Sequence, residues 1–489
     1  MSAVTSAAND VPRLRHFIAG KWRQSAADRW ITDVNPADAA DIMAHVPEGT
    51  SDDVTLAVSA AAEALPSWRA LPGPVRAEHL YRWAGVLAAR HEELAALVTR
   101  EVGKPIAEAR GEAARAAAIL RYHAGEAVRQ IGEVIPAQTA GALQFTLREP
   151  LGVVALITPW NFPLAIPVWK IAPALAFGNT VVLKPAEAAS RVATLLAETA
   201  VAAELPPGVV NVVFGAGAVI GPALISAPAV RAVSFTGSGR VGAEVALLAA
   251  QRNIRYQTEM GGKNVAIVLR DADLRQAATL TAAGAMRYAG QKCTATSRVI
   301  VARDVEDAFL AELRRQVEAL PLGPVTDPAA AIGPVISEQS QSRIRRVLDD
   351  FGGESYYTGT VPTTTEYSRG FFLPPTVFRN VAADSALARQ ELFGPVLATF
   401  TADDLDEAIE LANDTEYGLS ASLFTHDIRT ALRYIPRIDV GLVRINGETT
   451  SVDPHAPFGG MKASSSGSRE QGPAAREFYT EIKTVQINA

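Results

Sequence analysis

Residues 151–163, with the sequence LGVVALITPWNFP, contain the pattern that decides the fold. The run 151–157 is almost entirely apolar and rich in β-branched side chains, as in a parallel strand that is covered on both faces. Prolines at 159 and 163 bound the loop that follows. Because the carboxyl ends of strands line the ligand crevice of an open α/β sheet, we expect this loop to carry part of a site.

Strand and helix patterns alternate on the C-terminal side of this run. Further strands are predicted at 180–183, 209–214 and 231–235, separated by helical patterns at 172–177, 191–203 and 218–226. Repeated βα order predicts a doubly wound parallel sheet. A second α/β unit begins at 264–269 and extends past Arg444.

The N-terminal side has a different periodicity. Residues 52–70, 76–102 and 106–133 show the amphipathic spacing of helices. Residues 132–150 instead alternate as a half-exposed hairpin arm would, and 478–487 alternate like a closing edge strand.

Composition limits the class of protein. A chain of 489 residues exceeds one hydrophobic core, so we expect two or three domains. The net charge of −6 argues against a nucleic-acid partner. Neither an apolar run of ~20 residues nor a signal-peptide pattern is found, which predicts a cytoplasmic protein without a membrane span.

Cys293 is the only cysteine of the chain and lies in GQKCT, residues 290–294. A free cysteine is most often a small buried hydrophobe. Here a helical pattern at 277–288 precedes it and a strand pattern at 298–301 follows, so the thiol lies on a polar loop. This position favours a catalytic nucleophile. Without a second cysteine, we predict no structural zinc or other metal site.

Two polar residues at predicted strand ends could assist this thiol. Glu259 precedes a glycine pair and could act as a general base, or it could be a solvated loop carboxylate. Asn161 could donate to a developing oxyanion, or it could stabilise an Asx turn.

Two glycine turns are candidates for binding a dinucleotide. GSGRVG at 237–242 follows a strand and opens a helix, an arrangement that can hold a pyrophosphate. GAG at 215–217 is a rival that spacing alone does not rank. The ordinary fingerprint has an acid that binds the ribose about 20 residues later. Glu259 lies near that distance, but it is already the candidate general base, so the ordinary fingerprint does not fit cleanly. Lys184 and Glu187 could bind ribose hydroxyls or form a surface ion pair.

Taken together, seven segments resemble those of NAD(P)-dependent aldehyde dehydrogenases. They occur in the order of that family at 158–170, 184–187, 235–242, 259–263, 291–293, 391–396 and 457–462. The resemblance implies oxidation of an aldehyde to a carboxylic acid and an α/β fold with two doubly wound domains plus a β-hairpin oligomerisation arm. The implied parts are a dinucleotide-binding domain (1–131 and 151–261), a catalytic domain (262–467), and an arm and tail (132–150 and 468–489).

The resemblance also implies a role for individual residues. Cys293 would attack the aldehyde carbon to form a thiohemiacetal, with its backbone N–H and the Asn161 side chain as the oxyanion hole. Glu259 would activate the water that hydrolyses the later thioester, and Lys170 would relay protons. The positions that match cofactor-binding residues are Thr158, Trp160, Lys184, Glu187, Gly217, Gly237, Ser238, Gly261, Glu391 and Phe393.

The sequence restricts the choice of cofactor and of substrate less than it restricts the type of reaction. A carboxylate at Glu187 favours NAD, because it would repel a 2′-phosphate, and NADP is left open. Residues 464–472 resemble a subgroup that includes α-ketoglutaric semialdehyde dehydrogenases, which favours a small semialdehyde. Lys292, Arg444 and Phe458 are the candidate substrate-binding residues. Apolar residues at 167–168 leave aromatic and aliphatic aldehydes open.

Other functions compete with this interpretation. A CoA-acylating relative would pass the acyl group to a thiol and would not need Glu259. A thiol hydrolase would pair Cys293 with a histidine, and a scaffold would retain the fold without catalysis. Because a lone arm exposes an unpaired edge, and by the same resemblance, we expect a homodimer or homotetramer.

Overall fold

The structure is a computed structural model that describes residues 11–129 and 132–488. Its first sheet has parallel strands at the centre and antiparallel strands at both edges. In spatial order the strands are Lys21–Arg23, His16–Ile18, Val210–Val212, Thr180–Lys184, Val153–Ile157, Val230–Thr236, Arg255–Glu259 and Ser465–Ser466.

The strand order of this sheet reverses beside the strand Val153–Ile157. From Val153–Ile157 the chain adds strands on one side through Val210–Val212, and then continues on the other side with Val230–Thr236. Such a reversal separates the loops at the carboxyl ends of two neighbouring strands and opens a crevice between them. The loops after Ile157 and Thr236 are therefore the expected place for a ligand.

The second sheet is parallel except at one edge. Its strands, in spatial order, are Ser355–Thr358, Thr376–Phe378, Val396–Ala402, Arg298–Ala302, Val265–Val268, Ser420–Phe424 and Leu442–Ile445. In the smaller sheets, Leu143–Pro150 lies between Thr480–Ile487 and Val134–Ile135, Trp30–Asn35 pairs with Asp38–Pro47, and Tyr417–Gly418 pairs with Met461–Lys462.

Helices cover the sheets and link their strands. Their bounds are Ser51–Arg69, Gly73–Ala89, His91–Val102, Ile106–Glu126, Ala165–Ala176, Ser190–Ala202, Gly217–Ser226, Gly239–Gln251, Leu274–Met286, Glu306–Glu318, Glu338–Phe351, Thr365–Ser368, Ala386–Arg389, Leu405–Asn413, Ile428–Tyr434 and Ala474–Tyr479. Among the residues described, none of these helices is both long enough and apolar enough to cross a membrane.

Three predicted helices have different bounds in the structure. The pattern at 76–102 contains two helices, because the chain leaves helical geometry at Arg90 (φ −99°, ψ 22°). An amphipathic period that continues across a single residue cannot reveal such a break. The helix predicted at 106–133 ends at Glu126, and residues 130–131 of that prediction lie outside the described residues.

The third difference concerns the helix after the loop at 158–163, which starts at Ala165 rather than at 172. Pro167 lies in its first turn, where a missing N–H breaks no helical hydrogen bond. Every residue of Ala165–Ala176 is buried, so this helix belongs to the centre of the molecule. The domain limits proposed from the sequence stay a prediction.

Candidate active site

The loop that carries Cys293 connects the helix Leu274–Met286 to the strand Arg298–Ala302, as the sequence predicted. Cys293 is half-buried. The Asn264 side chain anchors this loop, since its Nδ2 donates to the carbonyl oxygens of Cys293 (2.7 Å) and Ala295 (2.9 Å). The backbone of the thiol is thus fixed from the neighbouring strand end.

Cys293 lines a cavity of about 330 Å³ at the reversal of the first sheet. The loop after Ile157 contributes Trp160 and Asn161, and the loop after Thr236 contributes Gly237 and Ser238. A cavity of this size at a topological switch point is typical of a small-molecule site.

Glu259 ends the strand Arg255–Glu259 and is almost completely buried. One carboxylate oxygen, Oε2, accepts a hydrogen bond from Ser465 Oγ (2.6 Å). The other, Oε1, accepts none from any residue the structure describes. A Cβ atom at Gly459 would lie 2.8 Å from Oε1, so a glycine leaves room beside this oxygen. The carboxylate is held at one end and unpartnered at the other.

A buried ion pair lies behind Glu259. Lys170 Nζ contacts Glu470 Oε1 and donates to Ser234 Oγ at 2.7 Å. Burial and the neighbouring Glu470 raise the pKa of Glu259 well above its usual range, and the Ser465 hydrogen bond and Lys170 oppose that rise. The carboxyl group therefore keeps its proton to a higher pH than an exposed glutamate does.

The same low-dielectric surroundings act on the sulfur. Burial, with the charges of Glu391 and Glu259, raises the pKa of the Cys293 thiol to about 12. Burial also raises the pKa of Glu391 to about 7. At neutral pH the resting thiol is therefore protonated, and its attack on a carbonyl requires that its proton be removed.

Asn161 connects the loop after Ile157 to the loop that carries Cys293. Its buried Nδ2 donates to the carbonyl oxygen of Gln291 at 3.1 Å, two residues before the sulfur. Across the cavity, the rings of Trp160 and Phe393 pack edge to face with centroids 5.5 Å apart. An amide with a fixed orientation beside a nucleophile is the arrangement an oxyanion hole requires.

Residues along the first sheet fit a dinucleotide. Glu187 Oε1 accepts hydrogen bonds from Lys184 Nζ (2.9 Å) and from the backbone N–H of Gly217 (2.8 Å), which fixes a carboxylate where ribose hydroxyls could bind. The start of Gly239–Gln251 has no side-chain cap in the described chain, so its N–H groups can meet a phosphate. A Cβ atom at Gly261 would lie 1.9 Å from Glu391 Oε2 and would displace that carboxylate.

Comparison with known proteins gives this site a family. The sequence profile of the aldehyde dehydrogenase family matches residues 22–485. The chain belongs to the aldehyde dehydrogenase family. It is an NAD(P)-dependent enzyme that oxidises aldehydes, so the recognition and the fold class predicted from the seven segments are confirmed.

Three relatives illustrate the likeness of this aldehyde dehydrogenase to others. It is 45% identical over 481 residues to the alpha-ketoglutaric semialdehyde dehydrogenase of Bacillus subtilis strain 168, covering 96% of this chain and 97% of that one. It is 42% identical over 475 residues to the alpha-ketoglutarate semialdehyde dehydrogenase of Haloferax volcanii, covering 96% and 98%. The crystal structure of an NAD-dependent aldehyde dehydrogenase from Sinorhizobium meliloti superposes with a TM-score of 0.93 at 38% identity, covering 98% and 95%.

A second cavity of this aldehyde dehydrogenase has a volume of about 530 Å³ and is lined in part by the Cys293 loop. Phe162 and Lys292, which neighbour Asn161 and Cys293 in sequence, line it. The two cavities are thus lined by adjacent residues of the same pair of loops.

The candidate substrate residues do not all come together. Lys292 lines the second cavity but is paired with Glu108 at 3.0 Å. Arg444 donates to the carbonyl oxygens of Val443 (3.3 Å) and Ser451 (2.6 Å) and so holds its own loop. Phe458 is buried against Trp169, with ring centroids 5.4 Å apart.

The cofactor candidates divide between two positions. Gly237 and Ser238 line the first cavity with Trp160, Gly261, Glu391 and Phe393, whereas Gly217 lies against Glu187. The glycine turns that spacing could not rank are thus both near residues that fit a cofactor. Thr158 is buried, and its backbone N–H donates to Lys184 O at 3.1 Å.

Several residues of the site were not predicted from the sequence. Arg115 and Arg287 line the second cavity, and Ser465 and Glu470 surround Glu259. For Arg115 the sequence contains a signal, because Glu108 and Arg115 are seven positions apart and share one face of a helix. The others come from distant segments whose proximity no local pattern reveals.

Proposed function

We propose that Cys293 is the nucleophile of this aldehyde dehydrogenase and that Glu259 is its general base. The observation that supports this most strongly is the buried Oε1 of Glu259, which accepts no hydrogen bond from the described residues. The charge of this carboxylate contributes to the raised pKa of the Cys293 thiol. An oxygen that accepts no hydrogen bond from the described chain is ready to accept one from a water molecule.

Attack of the sulfur on the aldehyde carbon places negative charge on the carbonyl oxygen. The Asn161 amide and the backbone N–H of Cys293 are assigned to bind that oxygen, and one such donor is worth about 3 kcal/mol. A bound nicotinamide supplies the two-electron acceptor for the oxidation. That cofactor would be held by the side chains of Trp160, Lys184, Glu187, Ser238, Glu391 and Phe393 and by the backbone at Thr158, Gly217, Gly237 and Gly261.

The thioester that remains on Cys293 is hydrolysed by a water molecule. Glu259 Oε1 takes a proton from this water, and the raised pKa of Glu259 makes its carboxylate a stronger base than an exposed one. Lys170, through Glu470, is assigned to pass that proton away from the cleft, because this pair lies directly behind the base.

Glu259→Gln should separate the two halves of the reaction. We expect a burst of NADH in the first turnover to persist, and the steady-state rate to fall by about 10²–10⁴-fold, because hydrolysis loses its base. Stopped-flow absorbance measures both phases. In the control variant Cys293→Ala, NAD binding should persist while burst and steady state both disappear. A normal steady-state rate in Glu259→Gln would reject the base assignment, and product that forms only with added CoA would assign the acylating reaction.

We infer that the substrate is a small semialdehyde with a distal carboxylate, the class named for the Bacillus and Haloferax relatives. The second cavity supports this, because Arg115 and Arg287 line it and the guanidinium group of neither makes a hydrogen bond or ion pair with another residue in 11–129 or 132–488. Lys292, by contrast, is neutralised by Glu108. Guanidinium groups bind carboxylates by charge-assisted, often bidentate, hydrogen bonds.

Replacing Arg287 with leucine should weaken binding of the semialdehyde selectively. Loss of a charge-assisted hydrogen bond of about 1.5–3 kcal/mol corresponds to a KM about 10–100-fold higher. Steady-state kinetics with α-ketoglutaric semialdehyde and with an uncharged aldehyde of equal length would measure this, and only the first should change. Arg115→Leu should behave alike, whereas Arg121→Leu, an exposed position on the same helix, is the control. Equal effects on both aldehydes would contradict a carboxylate subsite.

NAD is the proposed cofactor. The Glu187 carboxylate is fixed by two donors, so it cannot turn away from a 2′-phosphate without losing both hydrogen bonds. We expect kcat/KM to be higher with NAD than with NADP, and Glu187→Ser to narrow that ratio by removing the repelling charge. Equal kcat/KM values for the two cofactors in the unaltered enzyme would refute this.

We propose that the chain assembles as a homodimer or homotetramer in the cytoplasm, where its free thiol would stay reduced. Thr480–Ile487 is an edge strand whose outer side is unpaired within the described part of the chain. Apolar side chains at Val134 and Ile482 are 77% and 58% exposed on the same small sheet. Burial between subunits would remove both liabilities. Light scattering at micromolar concentration should give a multiple of 51.7 kDa, and the mass of a single chain would disprove it.

A further inference from the structure

Glu112 anchors the loop of Asn161 from a distant helix. It is buried in Ile106–Glu126, and its Oε1 accepts hydrogen bonds from the backbone N–H groups of Leu164 (2.9 Å) and Ala165 (3.0 Å). These groups begin the helix Ala165–Ala176, which has no side-chain cap from its own N-cap residue. Glu112 therefore caps this helix, and the cap lies three residues after Asn161.

Lys104 neutralises Glu112 and contacts both loops of the site. Its Nζ is paired with Glu112 Oε2, and both side chains are completely inaccessible to solvent. The same Nζ lies 3.8 Å from the centroid of the Phe162 ring and 4.6 Å from that of Tyr288. Phe162 follows Asn161, and Tyr288 lies five residues before Cys293. One ammonium group thus makes cation–π contacts on both sides of the site.

The Tyr288 turn needs external support. Tyr288 and Ala289 have φ values of +54° and +52°, in the left-handed region that costs a non-glycine residue about 1–2 kcal/mol. Such a conformation persists where its surroundings determine it, and it is often found at functional sites. Here the Tyr288 N–H donates to Ala331 O (2.9 Å), its hydroxyl donates to Val102 O (3.4 Å), and its ring meets Lys104.

We propose that Lys104 and Glu112 form a buried brace that sets the position of the Asn161 amide relative to the Cys293 sulfur. The hydrogen bond from Asn161 to Gln291 O is one connection between the two loops, and the brace is a second, independent one. Lys104 and Glu112 are positioning residues, since they act through Asn161 and the Tyr288 turn. The inference rests on the proposed role of Asn161 as oxyanion donor.

A brace of this kind should influence acylation more than cofactor binding. A displacement of about 1 Å in a reacting group can cost about 10²-fold in rate. The brace contacts the oxyanion loop and the turn before the nucleophile, whereas Glu187 and the start of Gly239–Gln251 lie elsewhere on the first sheet. Its loss should therefore lower the rate of acylation and leave the affinity for NAD unchanged.

The test compares three variants by single-turnover acylation rate, by NAD affinity from fluorescence titration, and by thermal unfolding. Glu112→Met removes the acceptor for Leu164 and Ala165, and we expect acylation to slow by about 10–100-fold. Glu112→Gln retains an acceptor oxygen for these N–H groups but leaves Lys104 without its carboxylate, so its acylation rate should fall less than that of Glu112→Met. Glu101→Met is the matched control, because buried Glu101 caps Ser190–Ala202 through the N–H groups of Arg191 and Val192.

The control separates positioning from general destabilisation. Glu101→Met should lower the unfolding temperature as Glu112→Met does, while its acylation rate stays normal. Equal acylation losses in the two variants, or normal acylation in Glu112→Met, would overturn the brace. Asn161→Ala is measured alongside: a normal acylation rate in that variant would reject the proposed oxyanion role itself, whatever Glu112→Met does.

A second variant keeps the test decisive if Glu112→Met does not fold. The double variant Lys104→Met with Glu112→Gln leaves no unpaired buried charge and retains the helix acceptor. It lacks the ammonium between the Phe162 and Tyr288 rings, so acylation should slow by about threefold or more, as cation–π contacts of this kind predict. An unchanged rate in the double variant would also overturn the proposal.

Discussion

The site depends on keeping ionisable groups in a cleft of low dielectric. The thiol of Cys293 and the carboxyl groups of Glu259 and Glu391 all have pKa values raised by burial, and each charge opposes ionisation of the sulfur. A protonated thiol in such a cleft is unreactive until a proton acceptor and a carbonyl are both in place.

This electrostatic arrangement requires rigid support, because each group is useful only at a fixed distance from the others. The support is mainly hydrogen bonding to backbone from distant segments. Asn264 holds the carbonyl oxygen of Cys293, Ser465 holds one oxygen of Glu259, and Glu112 holds the start of the helix after Asn161. Buried polar groups that are paired in this way define a single arrangement of loops, since every alternative leaves a donor or acceptor unsatisfied.

The prediction from sequence was most reliable where a short segment determines its own structure. The apolar strand at 153–157, the loop position of Cys293 and the carboxylate at the end of Arg255–Glu259 all follow from local patterns. It failed at helix boundaries, because the amphipathic period at 76–102 continues across the break at Arg90. Among the substrate candidates, Arg444 is bound by carbonyl oxygens of its own loop, whereas Phe458 packs against Trp169, a neighbour far away in the chain.

The sequence by itself determined the family, the α/β alternation and the residue types of the chemistry, because these are carried by contiguous segments in a fixed order. Only the tertiary structure decided which charges are free and which are paired. Lys292 is neutralised by Glu108, and the Glu187 carboxylate accepts a hydrogen bond from the backbone N–H of Gly217, while the Arg287 guanidinium has no ion-pair partner among the described residues. Partners of this kind meet only after helices and strands pack, and burial then sets the strength of each interaction.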